Sequence, residues 1–161
     1  MIDEAIIKKW LEEENLFTSM PEDENSRAHF IITYPANINN KMDIILPKMK
    51  TDCLTIGCAT VVDDGLLELM KGKVDTNEQF LMEIQSIANQ FLLDISIFAE
   101  PTKELKHFLI TEEIFEDGLT KDFLIRSIKK VFKAKHQCLL KLEAVYGKPI
   151  PFSNNPNDIP I

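Results

Sequence analysis

The stretch from Thr120 to Tyr146 holds the longest helical pattern in the chain and limits the fold more than any other. Leu124, Ile128, Val131, Phe132, Cys138, Leu139, Leu142 and Val145 recur at spacings of three and four. That gathers them on one face of a helix. Thr120 is placed to cap the first turn, and Asp122 suits the positive end of the helix dipole. Gly147 and Pro149 mark the stop, because Gly takes the left-handed cap and Pro cannot continue a helix. Such a helix is roughly 40 Å long. The expectation is therefore that one end overhangs the body or packs on a second copy.

The same stretch is the most basic in the chain. Carried on to Lys148, its cations Lys121, Arg126, Lys129, Lys130, Lys133, Lys135, Lys141 and Lys148 are opposed only by Asp122 and Glu143, a surplus of six positive charges. The whole chain carries −8, so the rest carries −14. A charge run is ordinarily a solvated face, here balancing an acidic body. The sharper reading is a docking surface for an acidic partner at Arg126, Lys129, Lys130 and Lys133. Nucleic acid is disfavoured by the acidic total and by the lack of aromatics interleaved among the cations.

A chain of 161 residues suits one domain with its own core. We expect a single domain over residues 1–147 and a tail over residues 148–161, where Pro149, Pro151, Pro156 and Pro160 forbid regular structure. No apolar run approaches the ~20 residues that span a bilayer, and the first residues carry no signal-peptide core, so the expected location is the cytoplasm with no membrane contact. Cys53, Cys58 and Cys138 make an odd set, which fits reduced thiols. Cys53 and Cys58 lie five apart on an expected strand and point to opposite faces, so they cannot share a metal. They read as small buried hydrophobes.

The element order follows from the periodicity. A first helix covers Ile2–Asn15. Strand patterns follow at Ala28–Tyr34, Lys41–Met49 and Cys53–Val62, with short connections that imply an antiparallel meander. Pro47 implies an edge or a bulge. The third run is apolar on both faces, as in a central strand covered on both sides. A short helix is expected over Asp63–Lys71. The capping box Thr76-x-x-Gln79 opens another, running to about Leu93. Ile95–Glu100 and Leu105–Glu113 form a hairpin turned by Pro101–Glu104, and an acidic loop leads into the long helix. The fold class is α+β, in the order α-β-β-β-α-β-β-α, with an antiparallel sheet packed by helices.

Reaction chemistry is thin. The five glycines form no phosphate loop, and no serine sits in a nucleophile elbow. His29, His107 and His136 show no metal-ligand spacing, though His29 and His107 would approach one another if their strands were neighbours. Asp63–Asp64 and Glu112–Glu113 sit at element ends, where charge at helix ends explains them. No cofactor, metal site or catalytic residue is expected.

Three segments carry a family resemblance: WLEEENL (Trp10–Leu16), QFLLDISIFAE (Gln90–Glu100) and EDGLTKDFLIRSIKKV (Glu116–Val131). With the element order, they resemble the type III secretion chaperones and the YbjN-like proteins, and an uncharacterised archaeal family of this fold. The resemblance implies a non-enzymatic, often dimeric module that binds other proteins, and carries no functional residue over. Three functions therefore stand. The first is a protein-interaction module, chaperone-like or regulatory, working as a homodimer with a protein partner. The second is a small-molecule binder or enzyme in a sheet–helix crevice using His29, His107 or Glu112. The third binds nucleic acid through Lys129, Lys130 and Lys133.

Overall fold

The structure is a computed structural model that describes residues 1–147, so the proline-rich tail expected over 148–161 lies outside the described residues. The elements are α1 (Glu4–Glu13), β1 (Phe17–Ser19), β2 (Ser26–Thr33), β3 (Lys41–Pro47), β4 (Cys53–Val61), α2 (Asp64–Met70), α3 (Val74–Gln90), β5 (Asp94–Ala99), β6 (Leu105–Phe115) and α4 (Lys121–Tyr146). Six antiparallel strands lie in the order β1-β2-β3-β4-β6-β5. The α+β order expected from the sequence is the order found, with β1 added beside β2. Three residues are too few to show an alternation, which is why the pattern missed that strand.

The helices lie on one side of the sheet. Phe30, Ile44, Ile56 and Phe108 alternate inward and are fully buried, as are Ile7 and Leu11 of α1, Ile84 of α3, and Leu124, Ile128 and Val131 of α4. Each such side chain contributes on the order of 2 kcal/mol by leaving water. The opposite side of the sheet carries no described helix. β4 is central, as expected, but it is not covered on both sides. Its outer residues Thr55 and Ala59 are half-buried and Val61 is exposed. Its apolar outer positions follow from its place between β3 and β6, whose side chains flank them.

Pro47 is not on an edge. It closes β3 in the interior of the sheet, opposite Ser26, where the β2 register shifts by a bulge. The bulge removes the need for a ladder donor at that point. α3 also begins earlier than the capping box suggests. Lys73 stands at its N-cap with no side-chain cap bond, Thr76 lies inside the first turns, and Gly72 makes the preceding bend at φ +72. The reason is Asn77. Its amide N–H reaches the Lys73 carbonyl at 2.8 Å, and its side chain donates to the Met70 carbonyl at 2.8 Å. That ties the end of α2 to the start of α3.

α4 does not overhang. Buried residues run from Leu124 to Tyr146 along its whole length. Its ends are as expected: Thr120 Oγ1 accepts from the Phe123 N–H at 3.1 Å, and Gly147 is left-handed. Near its C-terminal end the Tyr146 hydroxyl donates to Asn77 Oδ1 at 2.6 Å, and its ring meets Phe80 edge-on at 5.6 Å. All three cysteines are free and buried.

Burial pushes the Cys138 thiol and the Tyr146 phenol each up to about 12. Both groups favour the fold only while protonated. Their contribution is complete below the unfolded values of 9.0 and 10.0 and is lost as pH rises towards 12. Tyr146→Phe should cost about 1 kcal/mol at neutral pH, through the orphaned Asn77 acceptor. It should also lose less than the parent between neutral pH and about pH 11. Urea melts at the two pH values check both signs.

Candidate functional site

A lysine that the charge count places on the basic helix is in fact inside the protein. Lys135 is 1% exposed. Its ammonium donates to Asn40 Oδ1 at 2.8 Å and to the Ala59 carbonyl of β4 at 2.9 Å. Asn40, fully buried just before β3, gives its own Nδ2 to the Tyr34 carbonyl at 2.7 Å. Cys58 lies within 3.8 Å of the same amide, its thiol pushed up by burial and pulled back in part by the lysine charge. The signal was present in the sequence. Lys135 follows Val131 by four residues and precedes Cys138 by three, so it falls in the stripe of apolar positions.

The other cations of α4 divide in two. Lys121 reaches Glu13 at 2.8 Å and Glu14 at 2.7 Å, Lys130 pairs with Glu112, and Lys141 meets Glu83 at 2.9 Å. These tie the helix to α1, β6 and α3. Arg126 pairs within the helix to Asp122 at 2.9 Å and stays largely in water. Lys129 and Lys133 are exposed, with no ion-pair partner among the described residues. Of the four residues read as a docking surface, Lys130 thus turns toward the sheet, and Arg126, Lys129 and Lys133 face solvent.

His29, His107 and Glu112 do not converge. β3 and β4 separate β2 from β6, so the two histidines are not neighbours. His29 Nε2 meets Asp43 Oδ1 at 2.7 Å, with Asp23 3.9 Å from its other ring nitrogen. Asp23 is itself held below the usual carboxylate range, chiefly by the Ser26 hydroxyl and then by the Asn25 amide. His107 stacks on Phe98 at 4.2 Å, and burial lowers its basicity. Glu112 belongs to the ion pair with Lys130. Among the described residues no three His, Cys, Asp or Glu side chains gather as a metal site. An open depression of about 260 Å³ lies beside β2, lined by Met20, Asp23, Arg27 and His29 among others. Another, of about 470 Å³, is lined by Asp52, Phe115, Glu116 and Asp117.

What the surface does offer is apolar area on the uncovered side of the sheet and along its β5 edge. Val61, His107 and Phe98 stand abreast on three adjoining strands, with Val61 41% and Phe98 48% exposed. β5 is the outermost strand and reads DISIFA, with no Lys or Pro. Native edges usually carry such residues to discourage pairing with another chain. Leu92, just before β5, is 87% exposed, and Met82 on α3 is 69% exposed.

These features define an α+β protein with a one-sided antiparallel sheet, an open edge and no assembled reaction centre among its described residues. The chain belongs to the family described as an uncharacterized conserved protein (DUF2299), which it matches over residues 3–142. A crystal structure of an uncharacterized protein from Methanothermobacter thermautotrophicus is 35% identical, covers 91% of this chain and 100% of its own, and superposes with a TM-score of 0.84. YbjN from E. coli superposes at 0.51 with 11% identity, over 89% of this chain and 91% of its own. At that identity the likeness speaks for the fold alone. The ExsC–ExsE complex gives 0.48 at 11% identity, over 86% and 95%, which carries no argument. No curated protein matches the chain at a significant level. The resemblance read from the sequence, to an archaeal family and to the YbjN kind of fold, therefore holds. Among the described residues no helix is long and apolar enough to cross a membrane.

The buried lysine gives a direct test. Lys135→Ala should cost about 3 kcal/mol, since it removes a packed stem and leaves two buried acceptors unpaired. Lys135→Met, which keeps the stem, should cost less, about 1–2 kcal/mol. Urea titration of the two variants beside the parent measures the difference.

Proposed function

We propose that this protein is a non-enzymatic interaction module that holds another polypeptide against the uncovered side of its sheet, and that two copies assemble through the β5 edge. The observation that carries this reading is the pair of exposed apolar side chains at that edge, Leu92 just before β5 and Phe98 on it. A strand laid along β5 would pair its free backbone groups and cover Ile95 and Ile97, which are only half-buried now. Isologous pairing of β5 with its symmetry mate keeps inward residues inward, because an antiparallel pair about a two-fold axis preserves the faces. The small-molecule reading has less behind it. His29, His107 and Glu112 stand apart, and each already has a partner or a stacked neighbour. The cytoplasm is the proposed location.

Light scattering on the full chain should give the mass of a dimer at micromolar concentration. The double substitution Leu92→Ser with Phe98→Ser should shift it to a monomer while circular dichroism stays unchanged, since both side chains are largely in water. A parent chain that is monomeric throughout, with its hydrogen-exchange pattern at β5 unaltered by concentration, would remove this reading.

A further inference from the structure

Two lysines of α4 stand out from a helix whose other cations are engaged. The chain has more carboxylates than cations, 26 against 18, and α1, α3 and β6 each supply an acid to α4. Yet Lys129 and Lys133 point into solvent without an ion-pair partner among the described residues. They lie four residues apart, and Arg126 precedes Lys129 by three, so the three cations share one side of the helix. Exposed apolar side chains bracket them. Phe123 comes three residues before Arg126 and is 44% exposed, and Leu140 comes seven after Lys133 and is 45% exposed. From Phe123 to Leu140 the helix rises about 25 Å. The face therefore reads apolar, basic, apolar over the length of a short peptide segment, with Asp122 at its N-terminal end taken up by Arg126 and the two lysines left for a ligand.

We propose that this face of α4 docks an acidic segment of a protein partner, with carboxylates at Lys129 and Lys133 and apolar side chains on Phe123 and Leu140. This rests on the interaction-module reading and adds to it a second contact of stated chemistry, on the helix side of the molecule rather than the uncovered side of the sheet. Charge complementarity selects the occupant. A second copy meeting this face with its own about a two-fold axis sets cations against cations, which repel. A nucleic acid is a long polyanion, and beyond this face it would meet a molecule whose net charge is −8. A short acidic segment confines its charge to the cationic part of the helix. The exposed apolar ends add what a purely solvated face would lack, a contact that desolvates on binding.

The test uses the full chain and three fluorescent probes: a peptide alternating Glu and Leu, the same peptide with Gln for Glu, and a single-stranded oligodeoxynucleotide. The chain should bind the Glu peptide and ignore the Gln peptide. Affinity should fall at least about fivefold in the double variant Lys129→Gln, Lys133→Gln, as expected when charges facing a partner are removed. It should fall again from about 0.1 to 1 M salt, over which the Debye length shrinks from roughly 10 to 3 Å. Both lysines are exposed, so the variant should keep the parent's circular dichroism and melting temperature. Equal binding of the two peptides, indifference to the double variant, tighter binding of the oligonucleotide, or a change in the assembled mass of the double variant would each overturn the proposal. The outcomes separate it from the broader reading, because a chain that dimerises through β5 but ignores the Glu peptide sinks only this inference.

Discussion

One buried ammonium group sets where the long helix sits on the sheet. A charge taken fully out of water costs several kcal/mol unless its hydrogen bonds are replaced. Lys135 replaces them with the Asn40 side chain and the Ala59 carbonyl. Those acceptors belong to the entry of β3 and to the last residues of β4, so a single side chain fixes α4 against two neighbouring parts of the meander. Apolar packing alone would let a helix slide along a sheet by a turn at small cost, since Leu, Ile and Val substitute for one another. A buried donor tolerates no such slip, because its acceptors sit in one place only. The full-length burial of α4, and the meeting of Tyr146 with Asn77 at its far end, follow from that register.

The fixed helix layer makes the sheet one-sided. α1, α3 and α4 fill the inner face with fully buried side chains, and the outer face keeps half-buried Ile, Leu and Thr with Val61 and Phe98 standing out. An antiparallel sheet tolerates water on one face, which a parallel one rarely does. The price is an apolar surface larger than polar neighbours alone would leave, and an edge strand whose one charged residue is Asp94. Among the described residues the same layout assembles no reaction centre. The inner face is packed shut, and on the outer face His29, with Asp43 and Asp23 beside it, is separated from His107 by two strands.

The sequence made the fold legible where a period was long and its ends were marked. α4 was bounded correctly by Thr120 and Gly147, and the β5–β6 hairpin by its Pro101 turn. Boundaries failed where tertiary contacts overrode local signals. Thr76 and Gln79 have the form of a capping box, but Asn77 reaches back to Met70 and starts α3 earlier. The open face of the sheet was illegible, because apolar residues on both sides of β4 read as double cover. They reflect flanking strands instead. Lys135 was legible from its place between Val131 and Cys138, yet a count of charges hides it, since counting discards position.

The charge layout links the two levels. A helix with a surplus of five beside an acidic body looks like a display of positive potential. In the folded chain most of that surplus is used internally. Lys121, Lys130 and Lys141 answer carboxylates on three other elements, and Lys135 answers two neutral acceptors in the interior. Exposed pairs of this kind add little stability each. Their larger effect is to subtract charge from the surface, so that the positive face narrows to Arg126, Lys129 and Lys133. A narrow face between two apolar side chains discriminates by spacing as well as by sign, which the same charges spread along the whole helix would not do.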